Sequence, residues 1–107
     1  MGYVPCDRQL RRWYRAANER WFAGALPDDT DLLYARCEGC SAIADRDASE
    51  AFFIQINPAY AIDRRMVQLT LLHEMTHIAL WPYKRHGNRF EAEMLRLAKA
   101  GAMKGKW

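Results

Sequence analysis

No apolar run in this chain approaches the roughly 18–20 residues that a membrane-spanning helix requires. The opening residues, MGYVPCDRQLRRW, hold no apolar core of the kind that directs secretion. Gly2 fits the start of a myristoylation signal, but Cys6 stands where that signal needs Ser or Thr. Cysteine is scarce. Cys6, Cys37 and Cys40 make an odd count, which argues against a disulfide framework in a chain without a secretion signal. Internal repeats, low-complexity tracts and linkers are also missing, so residues 1–107 read as one domain. Neither sign of charge dominates: 16 Lys and Arg against 13 Asp and Glu leave a net charge of +3. That balance permits a nucleic-acid or acidic partner without requiring one. The expectation is a soluble cytoplasmic monomer, with association to the nucleoid left open.

What the chain does have is apolar and aromatic mass. Half of it is hydrophobic, with four Trp, five Tyr and four Phe. Large aromatics bury much area per residue, which lets a small domain offset its ordering entropy. The spacing of Leu10, Trp13, Tyr14, Ala17 and Trp21 predicts a first helix over about Asp7–Phe22, capped by Asp7 and stopped by Gly24 and Pro27. Arg8, Arg11, Arg12 and Arg15 fall on its other side. Three short strands are expected next, over Asp31–Cys37, Cys40–Asp45 and Ala51–Asn57. Glu38 and Gly39 turn the first into the second, and 46–50 form a polar loop. A second helix follows Asp63, its N-cap, and runs to about Trp81, where Pro82 bars continuation. It is apolar nearly all round, as a helix buried at the centre of a domain is. A last helix spans about Arg89–Ala100, with Asn88 as N-cap and Glu91 at the capping-box position. Phe90, Met94, Leu97 and Ala98 form its inner face. Helix, strands, helix, helix is the order of an α+β domain with a small sheet packed on a central helix.

All three histidines, His73, His77 and His86, fall within LLHEMTHIALWPYKRHGNRF. Positions 73 and 77 share one helix face, about 5–6 Å apart at Cβ. Two imidazoles at that separation can reach one zinc ion. Glu74, one residue round, can approach the open side of the metal, hold a water there and take its proton. This is the HExxH pattern, here HEMTH. A catalytic zinc takes three protein ligands and leaves one position open. A metzincin is excluded, because Leu80 stands at the Gly position and Tyr83 at the last His position of HExxHxxGxxH. Glu91 and Glu93 are candidates for the third ligand, but Glu91 has a local use as a helix cap. His86 is the better choice: it follows the break at Pro82 in a tight turn that Gly87 eases. Tyr83 is a candidate oxyanion donor, although a Tyr near a helix end more often packs.

At these residues the chain resembles the SprT-like metallopeptidase domain, the family that includes Spartan-type DNA–protein crosslink proteases. FAGALP (Phe22–Pro27) is similar to that family's F-x-G-x-LP element. IQINPAY (Ile54–Tyr60) corresponds to its strand before the zinc helix. MVQLTLLHEMTHIAL (Met66–Leu80) resembles the zinc helix, and RHGNRF (Arg85–Phe90) resembles the motif holding the third ligand. The resemblance covers nearly the whole chain. It implies zinc on His73, His77 and His86, Glu74 as catalytic base, and hydrolysis of peptide bonds in proteins bound or crosslinked to DNA. The implied fold is a minimal zincin-like domain, with a three-stranded antiparallel or mixed sheet packed on the HExxH helix between flanking helices. Asn88 stands where the family often has Pro. The four-cysteine zinc ribbon common at the C-terminus of the family is absent from the sequence given.

Other features admit plainer readings. Cys37 and Cys40 form a C-x-x-C pair. It is half a zinc site, which two turn residues also explain. The arginines of the first helix can contact phosphates or simply face solvent. Lys99, Lys104 and Lys106 lie near Trp107 in a basic tail. Two rivals to the peptidase remain at this level: a non-catalytic, nucleic-acid-associated zinc module, and a hydrolase of non-peptide amides.

Overall fold

The computed structural model describes residues 7–104. The expectations for the Asp7 cap, for Cys6, and for Lys106 and Trp107 fall outside what it describes.

The first helix, α1, covers Asp7–Trp21 and buries Leu10, Trp13, Tyr14 and Ala17 at 2% exposure or less. Trp21 packs at the margin of the same core. The helix ends because Ala23 and Gly24 take left-handed backbone angles, φ 53° and 72°. Glycine tolerates that region without steric penalty. The Gly24 N–H closes back onto the Asn18 carbonyl at 2.8 Å. The following loop is then held by α1 itself. The Asn18 side chain donates to the Leu26 carbonyl and accepts from the Leu26 N–H, both at 3.0 Å. The Tyr14 hydroxyl donates to the Pro27 carbonyl at 2.6 Å and lies 2.7 Å from Thr30 Oγ1.

Three strands follow: β1 (Asp31–Tyr34), β2 (Ala42–Arg46) and β3 (Phe52–Ile56). They form a mixed sheet in the order β1-β3-β2. β1 runs parallel to β3, from Asp31 opposite Phe53 to Tyr34 opposite Ile56. β2 runs antiparallel to β3, from Ala42 opposite Ile56 to Arg46 opposite Phe52. The strand expected most clearly from β-branched and aromatic content is thus the central one. Its alternate residues Ile54 and Ile56 are buried at 0% and 1% exposure, as the period-2 pleat requires.

β1 ends three residues before Cys37, and β2 starts two residues after Cys40. Between the strands, Asn57 takes the place of a ladder: its Nδ2 donates to the carbonyls of Cys37 (2.9 Å) and Cys40 (3.0 Å). Cys37 and Cys40 are joined by a disulfide, which corrects the expectation of a chain without one. A link over a sequence separation of three closes a local turn and staples no distant elements.

The second helix, α2, covers Arg64–Ala79. Asp63 caps it as expected, accepting from the Met66 N–H at 2.8 Å. Val67, Leu71, Leu72 and Met75 are fully buried, and α2 touches β2, β3, α1 and α3. It is not apolar all round to the touch: Met66 is 41% exposed, and the helix stops at Ala79, short of the expected Trp81. The third helix, α3, covers Asn88–Lys99, with Gly87 as N-cap and no side-chain cap. The expected box of Asn88 and Glu91 is not made, because the helix begins one residue earlier and the Glu91 N–H bonds to the Gly87 carbonyl at 3.0 Å. Phe90 and Leu97 are buried on its inner side and Met94 packs there, whereas Ala98 is exposed. The result is a small α+β domain of three helices and a three-stranded mixed sheet.

Candidate metal centre

One helical turn separates His73 from His77, so both rings project from the same face of α2, with centroids 5.0 Å apart. Beyond Ala79 the chain breaks away at Pro82 and returns through an exposed turn to Gly87. That return brings His86 Nε2 to 3.2 Å from His73 Nε2 and 2.8 Å from His77 Nε2. One ligand atom from each of the three residues lies within 4.8 Å of the others.

Hydrogen bonding alone does not explain this convergence. A neutral imidazole nitrogen carries either one proton or one lone pair. His86 Nε2 therefore makes a good bond to one neighbour at most and leaves the other contact unmatched. A shared cation satisfies all three. Zn–N bonds of about 2.0–2.1 Å in tetrahedral geometry place the nitrogens roughly 3.3 Å apart, close to the separations found. The three residues can hold a metal ion.

Burial prepares the donors. It pushes His73 down to about 4, helped by the neighbouring His77 and His86, and it lowers His77 with the help of His86. Both rings are neutral at pH 7, with lone pairs free to bind a cation. Glu74 is 6% exposed, and its Oε2 lies 3.8 Å from His73 Nε2. Burial pushes its carboxyl up to about 7. Among the described residues it accepts no hydrogen bond, so nothing nearby ties the proton-accepting oxygens down.

Phe90, in the first turn of α3, packs against all three imidazoles, with centroid distances of 4.8, 4.7 and 4.7 Å to His73, His77 and His86. Sequence reasoning assigned Phe90 to the core and missed this contact; its place four positions after His86 was the available signal. The centre opens on two sides. A cavity of about 220 Å³ is bounded by Glu74, His77, His86, Trp81 and residues 42–44 of β2. A second, of about 340 Å³, is bounded by His73, Glu74, Ser41 and Met94.

The other candidates lie elsewhere. Glu91 is exposed outside the cluster, and Glu93 pairs with Arg96. Tyr83 is 54% exposed, with the Arg89 guanidinium 3.8 Å from its ring centre, and bounds neither cavity. On α1, Arg11 donates to the Asp28 carbonyl (3.2 Å) and Arg15 pairs with the Asp28 carboxylate (3.4 Å). Arg8 and Arg12 remain exposed. No described helix is long and apolar enough to cross a membrane.

A search of curated proteins finds no significant match. The family model for SprT-like proteins aligns with residues 10–105, from the first turn of α1 past the end of α3. The chain therefore belongs to the SprT-like family.

Proposed function

We propose that this chain is a zinc-dependent endopeptidase with a zincin-like centre, in which His73, His77 and His86 hold the metal and Glu74 is the general base. Family membership supports a metallopeptidase-type enzyme. The observation that carries the reading is the meeting of three Nε2 atoms beside one buried, otherwise unbonded carboxyl. Three imidazoles suit zinc, a borderline-soft cation that favours nitrogen donors. When bound, zinc supplies a Lewis acid that lowers the pKa of water toward ~7.

The chain's own groups do the rest. The imidazoles, kept neutral by burial, fix the position of the centre. Glu74 takes a proton from the water that attacks the peptide carbonyl. Glu74 then delivers that proton to the leaving amine. The Phe90 ring packs against all three imidazoles. The edge strand β2, which bounds the opening beside Glu74, offers backbone groups to an extended polypeptide, and this favours a peptide over another amide.

Glu74→Gln tests the reading. With metal content equal in both proteins, wild type is expected to cleave an unfolded protein substrate and the variant to lose that cleavage. Equal rates sink the assignment of Glu74.

A nucleic-acid role is a second reading, supported by the exposed Arg8 and Arg12 on α1. In it the domain acts on proteins bound or crosslinked to DNA. In its non-catalytic form the metal is structural and α1 contacts the phosphates. Binding to single-stranded DNA that falls with salt and with Arg8→Ala/Arg12→Ala supports that contact. Metal content with salt-dependent binding and no proteolysis favours the non-catalytic form.

A further inference from the structure

Three cavities follow β2 in chain order. Ser41 bounds the first together with His73 and Glu74; Ala42, Ile43 and Ala44 bound the second together with Glu74, His77 and His86; Arg46 bounds the third. Glu74 belongs to the first two and Trp81 to the last two, so each cavity shares a wall residue of α2 or its end with the next. The sheet order β1-β3-β2 makes β2 an edge strand, and no described strand pairs with its far side. An extended polypeptide laid along β2 meets unpaired backbone at that edge.

The third cavity is the largest, about 610 Å³, within the range of pockets that enclose ligand groups. Trp21, Phe22, Phe52 and Trp81 give it aromatic walls, and no residue of the proposed catalytic centre bounds it. Arg46 bounds this cavity beside Trp81, the residue it shares with the second. Its guanidinium lies 4.6 Å from the Phe52 ring centre and 5.6 Å from that of Trp81, and the two rings meet edge to face at 5.3 Å. Contacts of this kind hold a guanidinium in place without neutralising it. Among the described residues, no carboxylate lies within 4.0 Å of it. The neighbouring charges are already matched: Lys84 pairs with Asp45 at 3.9 Å, and Glu93 with Arg96. The uncompensated charge bordering this aromatic cavity is therefore positive.

We propose that this cavity is a distal specificity subsite: it takes a bulky apolar side chain of the substrate polypeptide, and a carboxylate on the adjacent substrate residue pairs with Arg46. The proposal rests on the endopeptidase reading. Arg46 lies two residues beyond Ala44 along β2, or about 7 Å at ~3.4 Å per residue. The subsite thus reads substrate about two or three residues from the bond that is cut.

The test uses the full chain loaded with zinc and peptides that share one cleavable centre. One peptide carries Phe-Glu at the second and third flanking positions, and the other carries Ala-Lys. Wild type is expected to prefer Phe-Glu by about tenfold or more in kcat/KM, mostly through KM, the scale on which an apolar pocket discriminates. Ala79→Phe, at an exposed position bounding the cavity, narrows it and reduces the preference while cleavage of the Ala-Lys peptide is unchanged. Arg46→Glu turns the charge preference toward Lys. Binding of both peptides, fluorescently labelled, to the Glu74→Gln chain gives a readout free of catalysis. If wild type cleaves neither peptide but this binding keeps the Phe-Glu preference and Ala79→Phe reduces it, the subsite stands and the endopeptidase reading falls. Equal KM and equal binding for the two peptides, binding of neither, or a preference untouched by both substitutions overturns the subsite.

Discussion

His86 Nε2 lies 2.8 Å from His77 Nε2, although nine sequence positions and a helix break separate the two residues. The turn after Pro82 therefore closes the centre, and removing its imidazole should open it. In His86→Ala, zinc affinity is expected to fall by at least about 100-fold, since even the loss of groups that only orient ligands costs 10–100-fold. For wild type, free zinc at 1,000 times its Kd stabilises the fold by about 4 kcal/mol, raising Tm on the order of 15 °C. A chelator reverses that rise. His86→Ala should show about a third of it or less at the same zinc concentration. Competition with a chromophoric chelator and thermal melts check both; an unchanged Kd in the variant removes His86 from the ligand set.

Glu74 gives a pH dependence in the metal-free protein. Its folded pKa of about 7 stands above the unfolded value of 4.5, so the folded state binds more protons between those pH values. Stability is then greatest below 4.5 and falls as pH rises through 7. His73 acts in the opposite sense. Its folded pKa of about 4 lies below 6.5, so its contribution is present above pH 6.5 and is lost as pH falls toward 4. The two partly cancel between pH 4.5 and 6.5. Glu74→Gln removes one of them. The metal-free variant should be more stable than wild type at pH 8, by up to roughly 3 kcal/mol, and nearly equal to it at pH 4.5. Its proteolytic rate should drop about 10²–10⁴-fold with zinc retained. Melting curves at the two pH values check the sign of the stability difference.

The legible part of this chain was the part written in local rules. Asp63 caps α2 by reaching a backbone N–H three positions on, and the apolar spacing around Leu10 and Tyr14 follows the helical period; both needed only neighbouring residues. His73 and His77 were legible because four positions on a helix fix a distance. The third imidazole was legible by reasoning from a break and a return. What escaped depended on contacts between distant residues. The strand ends near Cys37 and Cys40 are set by the Asn57 side chain, seventeen and twenty positions away. Whether Gly87 or Asn88 capped α3 turned on a shift of one residue, which sequence rules do not resolve. The packing of Phe90 under the imidazoles and the cavity beside Arg46 exist only once α2, α3 and the sheet are brought together.

Within the loop Phe22–Pro27, one side-chain amide holds Leu26. Asn18 satisfies both backbone groups of Leu26, and all of these groups are buried. Asn18→Ala strands them, at a cost of about 1–3 kcal/mol for an unsatisfied buried group, and Tm should fall by roughly 5–15 °C. Asn18→Asp should not rescue it, because a carboxylate keeps the acceptor for the Leu26 N–H but faces the Leu26 carbonyl without a proton to donate. Thermal melts of the two variants decide this; an Asp variant as stable as wild type means that the clamp contributes little.

Phe90 makes the last prediction, because its ring touches all three imidazoles while lying only 7% exposed. Its near-parallel contact with His77, 29° between planes, limits how far that ring can turn. An imidazole free to rotate must be ordered again when a metal binds, which lowers affinity; a ring already packed in place does not pay that entropy. Phe90→Leu keeps an apolar side chain at the site but removes the flat surface. Metal-free stability should fall by about 1–2 kcal/mol, the scale of a tolerated core swap. Zinc affinity should fall about tenfold, as when a group that orients ligands is lost. Titration of zinc into both proteins by calorimetry separates the two effects, since the melting temperature reports the packing and the Kd reports the ordering of the rings. An unchanged Kd beside a lowered Tm would leave Phe90 as a core residue and nothing more.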